Sequence, residues 1–225
     1  MNYVLNILPE FWAYVSDILP QLWSGAKITL SLFVITLLLS IPLGLILALL
    51  RLSRIKVLDF IVNFYIWVIR GTPLMLQIFF IYFALPSVNI LLPAYTTVVV
   101  AFALNYAAYF AEIFRAGIQG VGKGQYEAAK TLGMNYGQTM RRIVLPQMWK
   151  KILPPLSNET ITLVKDTSLV YVLALQDVMR VTQQLVLQKF SLIPFFVAAV
   201  FYLTMTLILT WGFQKMEKQY ARYDD

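Results

Sequence analysis

Glu127-Ala128-Ala129-Lys130-Thr131-Leu132-Gly133, closed by Ile143-Val144-Leu145-Pro146, is a polar, basic, helix-forming interruption in a chain that otherwise reads as membrane. A hydrophobic protein that keeps a long, patterned segment in water offers that segment to a partner. From Gln125 to Met140 the only breakers are Gly133 and Gly137. Ala128, Ala129, Leu132 and Tyr136 fall at i, i+1, i+4 and i+8, a narrow apolar stripe on a polar helix. Gly133, without a Cβ, permits a sharp change of direction there. Pro146 is expected to end the following helix. The pattern predicts either a solvated helix lying on the membrane surface or a short helix pair that fits a groove on a cytoplasmic partner.

The rest of the chain supplies the membrane. Of its 225 residues 60% are hydrophobic and 13% charged, too few charges to clothe a soluble core. The net charge of +7 is clustered at Arg51-Arg54-Lys56, from Arg115 to Lys151, and at Lys215-Lys218-Arg222. Clusters that alternate with apolar runs mark cytoplasmic loops and speak against a nucleic-acid surface. Without Cys or His, disulfides, thiolate chemistry and the usual zinc sites are excluded, and no metal site is expected. Met1-Asn2-Tyr3 has no basic n-region, so no cleaved signal peptide is expected.

Five spans are predicted in an all-α membrane protein. An aromatic segment over 1–24, broken by Pro9 and Pro20, is expected to lie in the interface. The first span is Ile28 to Leu50. The second stretch, Val57 to Leu85, is too long for one upright crossing and is interrupted by Arg70-Gly71-Thr72-Pro73. It is expected to be tilted, kinked or divided there. Ala94 to Ala116, Ile152 to about Leu175, and Leu192 to Phe213 complete the set, with a polar helix from Gln176 to Lys189 at the outer surface. The outside segments hold only Lys27, Arg180 and Lys189, which predicts N-terminus outside and C-terminus cytoplasmic.

Ionisable groups in lipid need a partner or a hydrated pathway. Glu112 and Arg115 can pair at i, i+3. Three polar faces emerge: Arg70, Pro73 and Gln77; Asn105, Tyr109 and Glu112; Glu159, Thr162 and Asp166. They either line a translocation path or hold the bundle together by hydrogen bonds. Glu159, roughly 8–10 Å inside the cytoplasmic end, can balance a cationic substrate, with Asn105, Tyr109, Glu112, Thr162 and Asp166 as further binding candidates. Arg70, Gln77 and Lys165 are read as structural or pathway residues.

The order Glu127-Ala128-Ala129, three residues, Gly133, nine residues, Ile143, one residue, Leu145-Pro146 resembles the EAA loop of bacterial ATP-binding-cassette importer permeases. Arg70-Gly71-Thr72-Pro73-Leu74, Tyr109 to Arg115 followed by Gly124-Gln125, and Lys165-Asp166-Thr167-Ser168-Leu169 resemble segments of the polar amino acid (histidine/arginine/glutamine) subfamily. The resemblance covers roughly Ser24 to Lys215. It implies a transmembrane domain over 25–215 with a coupling segment at 120–146, and a cytoplasmic tail over 216–225. It also implies a multi-pass protein of the bacterial inner membrane. Glu127, Ala128, Ala129, Gly133 and Tyr136 would dock on an ATP-binding subunit that binds ATP and magnesium. Two such permeases, identical or not, would assemble with an extracytoplasmic amino-acid-binding protein. No cofactor or phosphate loop is expected in this chain. The acidic faces motivate arginine, histidine or lysine as substrate. A stand-alone carrier using Glu112 and Glu159, or a membrane enzyme, are the alternatives. Neither has a use for the EAA segment.

Overall fold

The computed structural model describes residues 2–53 and 55–221, and every element among them is helical. Arg54 of the first basic cluster, and Arg222 with the end of the tail, lie outside the described residues.

Helix α1 (Asn2–Arg51) is one continuous helix of 50 residues. Pro9, Pro20 and Pro42 sit inside it, so the break expected before the first span is absent and the aromatic segment is its first half. Each proline removes a single backbone donor, which a membrane helix tolerates when neighbours hold its course. Gly44 supplies one such neighbour contact: a Cβ there would lie 2.7 Å from the Phe110 Cβ. Further along, Ser31 Oγ and Tyr95 Oη lie 2.8 Å apart. These two contacts make α1 run in the same direction as α4 (Ala94–Gln119).

The second apolar stretch is divided. Helix α2 (Lys56–Arg70) and the run from Leu74 to Val88, which opens with α3 (Leu74–Ala84), meet at 106°. Gly71 closes α2, and Pro73 in an extended conformation starts α3. The Tyr65 hydroxyl donates to the Leu104 carbonyl at 2.6 Å, fastening α2 to α4.

Helix α4 is the core of the bundle. Phe102, Tyr106, Phe110 and Phe114 are fully buried on it and pack with Leu32, Ile78, Met148 and Ile152. Lipid tails are as apolar as these side chains, so close packing holds the bundle. Small residues make it close: a Cβ on Gly117 would lie 2.2 Å from the Ile152 Cγ2.

After α4 come α5 (Lys123–Thr131), α6 (Tyr136–Thr139), a π-helical turn over Met140–Val144 and α7 (Leu145–Asp166). The expected stop at Pro146 does not occur. The Leu145 N–H reaches back to the Met140 carbonyl, and the widened turn carries the chain straight into α7 with Pro146 in its first turn. Tyr106 meets Asp166 and Gly117 meets Ile152, so α7 runs opposite to α4. It ends at Asp166, short of the expected Leu175, and a 3-10 segment, Thr167–Leu173, follows. Helices α8 (Val178–Lys189) and α9 (Ile193–Ala221) complete the chain.

Among the described residues, three helices are long and apolar enough to cross a membrane, or four if the bent pair is one span. They are Phe11–Arg51, Ala94–Gln119 and Ile193–Tyr220. Helix α7 is not among them and carries Lys150, Lys151, Glu159, Lys165 and Asp166.

Candidate functional site

A cleft of about 350 Å³ opens between α2, α4 and α7, lined by Arg70, Tyr109, Glu112, Lys151 and Glu159 together with small and apolar residues. Its most heavily paired member is Glu112. Arg115 grips it from one turn away at 2.7 Å, the pairing that the i, i+3 spacing predicted. Arg51, from the end of α1, also binds it, and Arg70 stands 4.0 Å away. One carboxylate thus ties the ends of α1, α2 and α4. The Arg70 guanidinium lies over the Tyr109 ring, 5.2 Å from its centroid. Glu159 lines the opposite wall, half-buried, and Arg70 is the cation that acts on it across the cleft.

The other candidates sit elsewhere. Arg70, Pro73 and Gln77 do not share a helical face, because the break separates them. Gln77 instead turns back on the break: its amide donates to the Ile69 carbonyl at 2.7 Å and to the Thr72 hydroxyl at 2.9 Å. Its oxygen accepts from the Asn105 amide at 3.0 Å. Gln77 and Asn105 are both buried, so this pair satisfies backbone groups that the bend sets free. Asp166 accepts from the buried Tyr106 hydroxyl at 2.7 Å, a partner that the sequence hid in an apolar run. Thr162 is half-buried and outside the cleft lining, and Lys165 is exposed.

The EAA segment forms a second surface. Ala129 is buried, and Tyr126 one turn earlier packs against the main core with its hydroxyl on the Ile118 carbonyl at 3.3 Å. The opposite side is open: Glu127 and Ala128 are exposed, Leu132 is 77% exposed and Tyr136 69%. The apolar stripe is therefore divided, with Ala129 inward and Leu132 and Tyr136 outward. Gly133 has φ +73° and closes α5. Its N–H bonds the Lys130 carbonyl and that of Met134 bonds Ala129, both at 3.0 Å, a paired C-terminal cap that requires the left-handed conformation. Asn135 and Gln138 then cap α6 reciprocally. Gln147 reaches Gln125 at 3.1 Å, and Lys151 donates to the Gly120 carbonyl, so the segment is stapled to the start of α7.

At the opposite end of the bundle lies a carboxylate that sequence reading passed over. Asp177 is fully buried and caps α8 by accepting from Met179 and Arg180 N–H, each at 3.0 Å. Burial pushes its carboxyl up to about 6. Gly25 makes room for it: a Cβ there would come within 2.8 Å of the Asp177 backbone. The capping spacing was readable, but the approach of α1 was not.

Comparison with known proteins identifies what the chain is similar to. Residues 40–222 match the family described as binding-protein-dependent transport system inner membrane component. The chain is 39% identical over 202 residues to the arginine transport system permease protein ArtQ of Bacillus subtilis, covering 89% of this chain and 92% of that one. It is 36% identical to the L-cystine transport system permease protein TcyB of the same organism, covering 95% and 89%. With the glutamine transport system permease protein GlnP of Escherichia coli it shares 35% identity, covering 92% and 96%. The crystal structure of an amino acid ABC transporter with histidines superposes with a TM-score of 0.85 at 37% identity, covering 93% of this chain and 98% of that one. An inward-facing MetNI methionine ABC transporter shares the fold, with a TM-score of 0.69 at 16% identity.

Proposed function

Because the chain belongs to the family of binding-protein-dependent transport system inner membrane components and is an amino acid ABC transporter permease, we propose that it carries basic amino acids inward across the bacterial inner membrane. The observation that carries this reading is the cleft. Arg70 and Tyr109 form one wall and Glu159 the other, with Glu112 already claimed by Arg51 and Arg115. Glu159 is thus the carboxylate left for a substrate cation, and Arg70 faces the substrate's own carboxylate. Relatives named for arginine, cystine and glutamine share this scaffold, so selectivity rests on such local differences.

ATP hydrolysis belongs to a partner subunit. The exposed Glu127, Ala128, Leu132 and Tyr136 are the surface on which it docks, two permeases and two ATPases forming the importer. The coupling segment joins α4 to α7, the two helices that carry Glu112 and Glu159, so a push on α5 and α6 is delivered to both walls of the cleft. The opposed directions of α4 and α7, and the basic clusters at one end, support five crossings with the C-terminus in the cytoplasm. An extracytoplasmic binding protein delivers the amino acid to the other end, and Gln77, Asn105, Tyr106 and Asp166 hold the bundle in register.

The test is substrate-stimulated ATP hydrolysis by the reconstituted complex. Glu159→Gln is expected to raise the arginine concentration needed for half-stimulation by about 10-fold or more, with the response to glutamine retained. An unchanged arginine response would remove Glu159 from the substrate site.

A further inference from the structure

We propose that Lys151 is the positioning residue that times substrate release: its ammonium is held on the coupling segment in this state and, once that segment moves, takes the place of the substrate's cation at Glu159. The proposal rests on the reading of Glu159 as the carboxylate that holds a basic amino acid.

Lys151 belongs to both working parts of the chain. It lines the cleft together with Arg70, Tyr109 and Glu159, and its Nζ donates to the Gly120 carbonyl. Gly120 closes α4, where the coupling segment begins. A Cβ built on Gly120 would meet the Lys151 Cδ at 3.5 Å, so the lysine stem lies directly over that residue. A carbonyl at a helix C-terminus carries partial negative charge and draws an ammonium to it. At an exposed site that attraction is modest, and Lys151 is exposed. A shift of α5 relative to α7 therefore parts the pair, while the Gly117 contact with Ile152 keeps α4 and α7 joined.

The freed ammonium has a destination within the cleft. Of the two carboxylates lining it, Glu112 is already bound by Arg51 and Arg115, which leaves Glu159. Lys151 and Glu159 lie two turns apart on α7, about 12 Å along its axis and roughly 80° around it. Lysine has the flexible four-carbon stem and rotatable donors that such a swing requires. Arg70 stays on the opposite wall over the Tyr109 ring. In this state Arg70, and not Lys151, is the cation acting on Glu159. An ammonium that reaches Glu159 repels a substrate cation held at the same carboxylate. A neutral amino acid has no such group to lose. A lysine that served merely to cap α4 would instead affect every substrate alike.

The test is uptake of arginine and of glutamine by the complex of the full chain, its ATPase partner and the binding protein in proteoliposomes. Lys151→Gln keeps a donor for the Gly120 carbonyl and removes the charge. Its maximal arginine uptake is expected to fall about 10-fold, with the half-saturating arginine concentration unchanged or lower. Glutamine uptake should stay within about two-fold of the unaltered chain, and Lys151→Arg should restore arginine uptake. In a Glu159→Gln background, Lys151→Gln should have no further effect. Undiminished arginine uptake by Lys151→Gln would overturn the proposal. So would an equal loss for both amino acids, which marks a helix cap, or a further loss in the Glu159→Gln background. Failure of the Glu159 reading is told apart by Glu159→Gln alone, whose arginine response then stays unchanged. Failure of the Lys151 assignment leaves Glu159→Gln impaired and Lys151→Gln normal.

Discussion

Gln77 shows how much one side chain decides in this bundle. The bend at Gly71–Pro73 frees carbonyls from the helical ladder, and the Gln77 amide takes up those of Ile69 and Thr72 while holding Asn105. Gln77→Leu keeps the volume and strands all three groups, so a loss of about 1–3 kcal/mol is expected in thermal unfolding in detergent. Gly117→Val should cost a similar ~1–3 kcal/mol by pushing α4 off Ile152 and Met148, and Ile152→Ala should recover part of it. Asp177 gives a pH signature. Its carboxyl titrates at about 6 against an ordinary 3.8, so the folded chain holds that proton more tightly than the unfolded one. Stability should rise as pH falls from about 7 toward 4, by of order 1–3 kcal/mol, and level off below. Arg180 on α8 and Tyr202 on α9 are the titratable groups facing it. Asp177→Asn should flatten that part of the profile; an unaltered slope would place its origin in another group.

At the scale of elements, the coupling segment is the part that sequence conveyed best. The helical pattern, the direction change at Gly133 and the docking role implied by the EAA spacing are all local properties, and α5, the positive φ at Gly133 and the capped α6 realise the first two. The division at Gly71–Pro73 was local too. What stayed hidden depends on which helices meet. A seven-residue spacing put Gln77 with Arg70 only if the helix were continuous, and the bend cancels that periodicity. Tyr106 and Asp177 acquire meaning from Asp166 and Gly25, both far away in the chain. The π-helical turn reverses the usual reading of Pro146, because the extra residue absorbs the clash a proline makes with the preceding turn. The exposed Leu132 on α5 tests the coupling role. Leu132→Glu should leave unfolding unchanged and reduce copurification of the ATPase and stimulated hydrolysis by about 10-fold. Retained coupling would move the docking surface elsewhere.

Across the whole molecule, the bundle sets two surfaces on one lever. The cleft with Arg70, Tyr109 and Glu159 and the outward face of α5 and α6 are joined through α4 and α7, which the Lys151 bond to Gly120 and the Gly117 contact lock together at their inner ends. On the proposed reading, a hinge motion at the coupling segment moves both walls of the cleft, which a carrier working alone would have no means of driving. The measurement that bears most directly on this is uptake of radiolabelled arginine into proteoliposomes holding the chain, its ATPase partner and the binding protein. The account predicts accumulation above the external concentration when ATP is supplied on the side of the coupling segment, with none when ATP is omitted. Accumulation driven by a proton or sodium gradient without ATP or the ATPase subunit would contradict it.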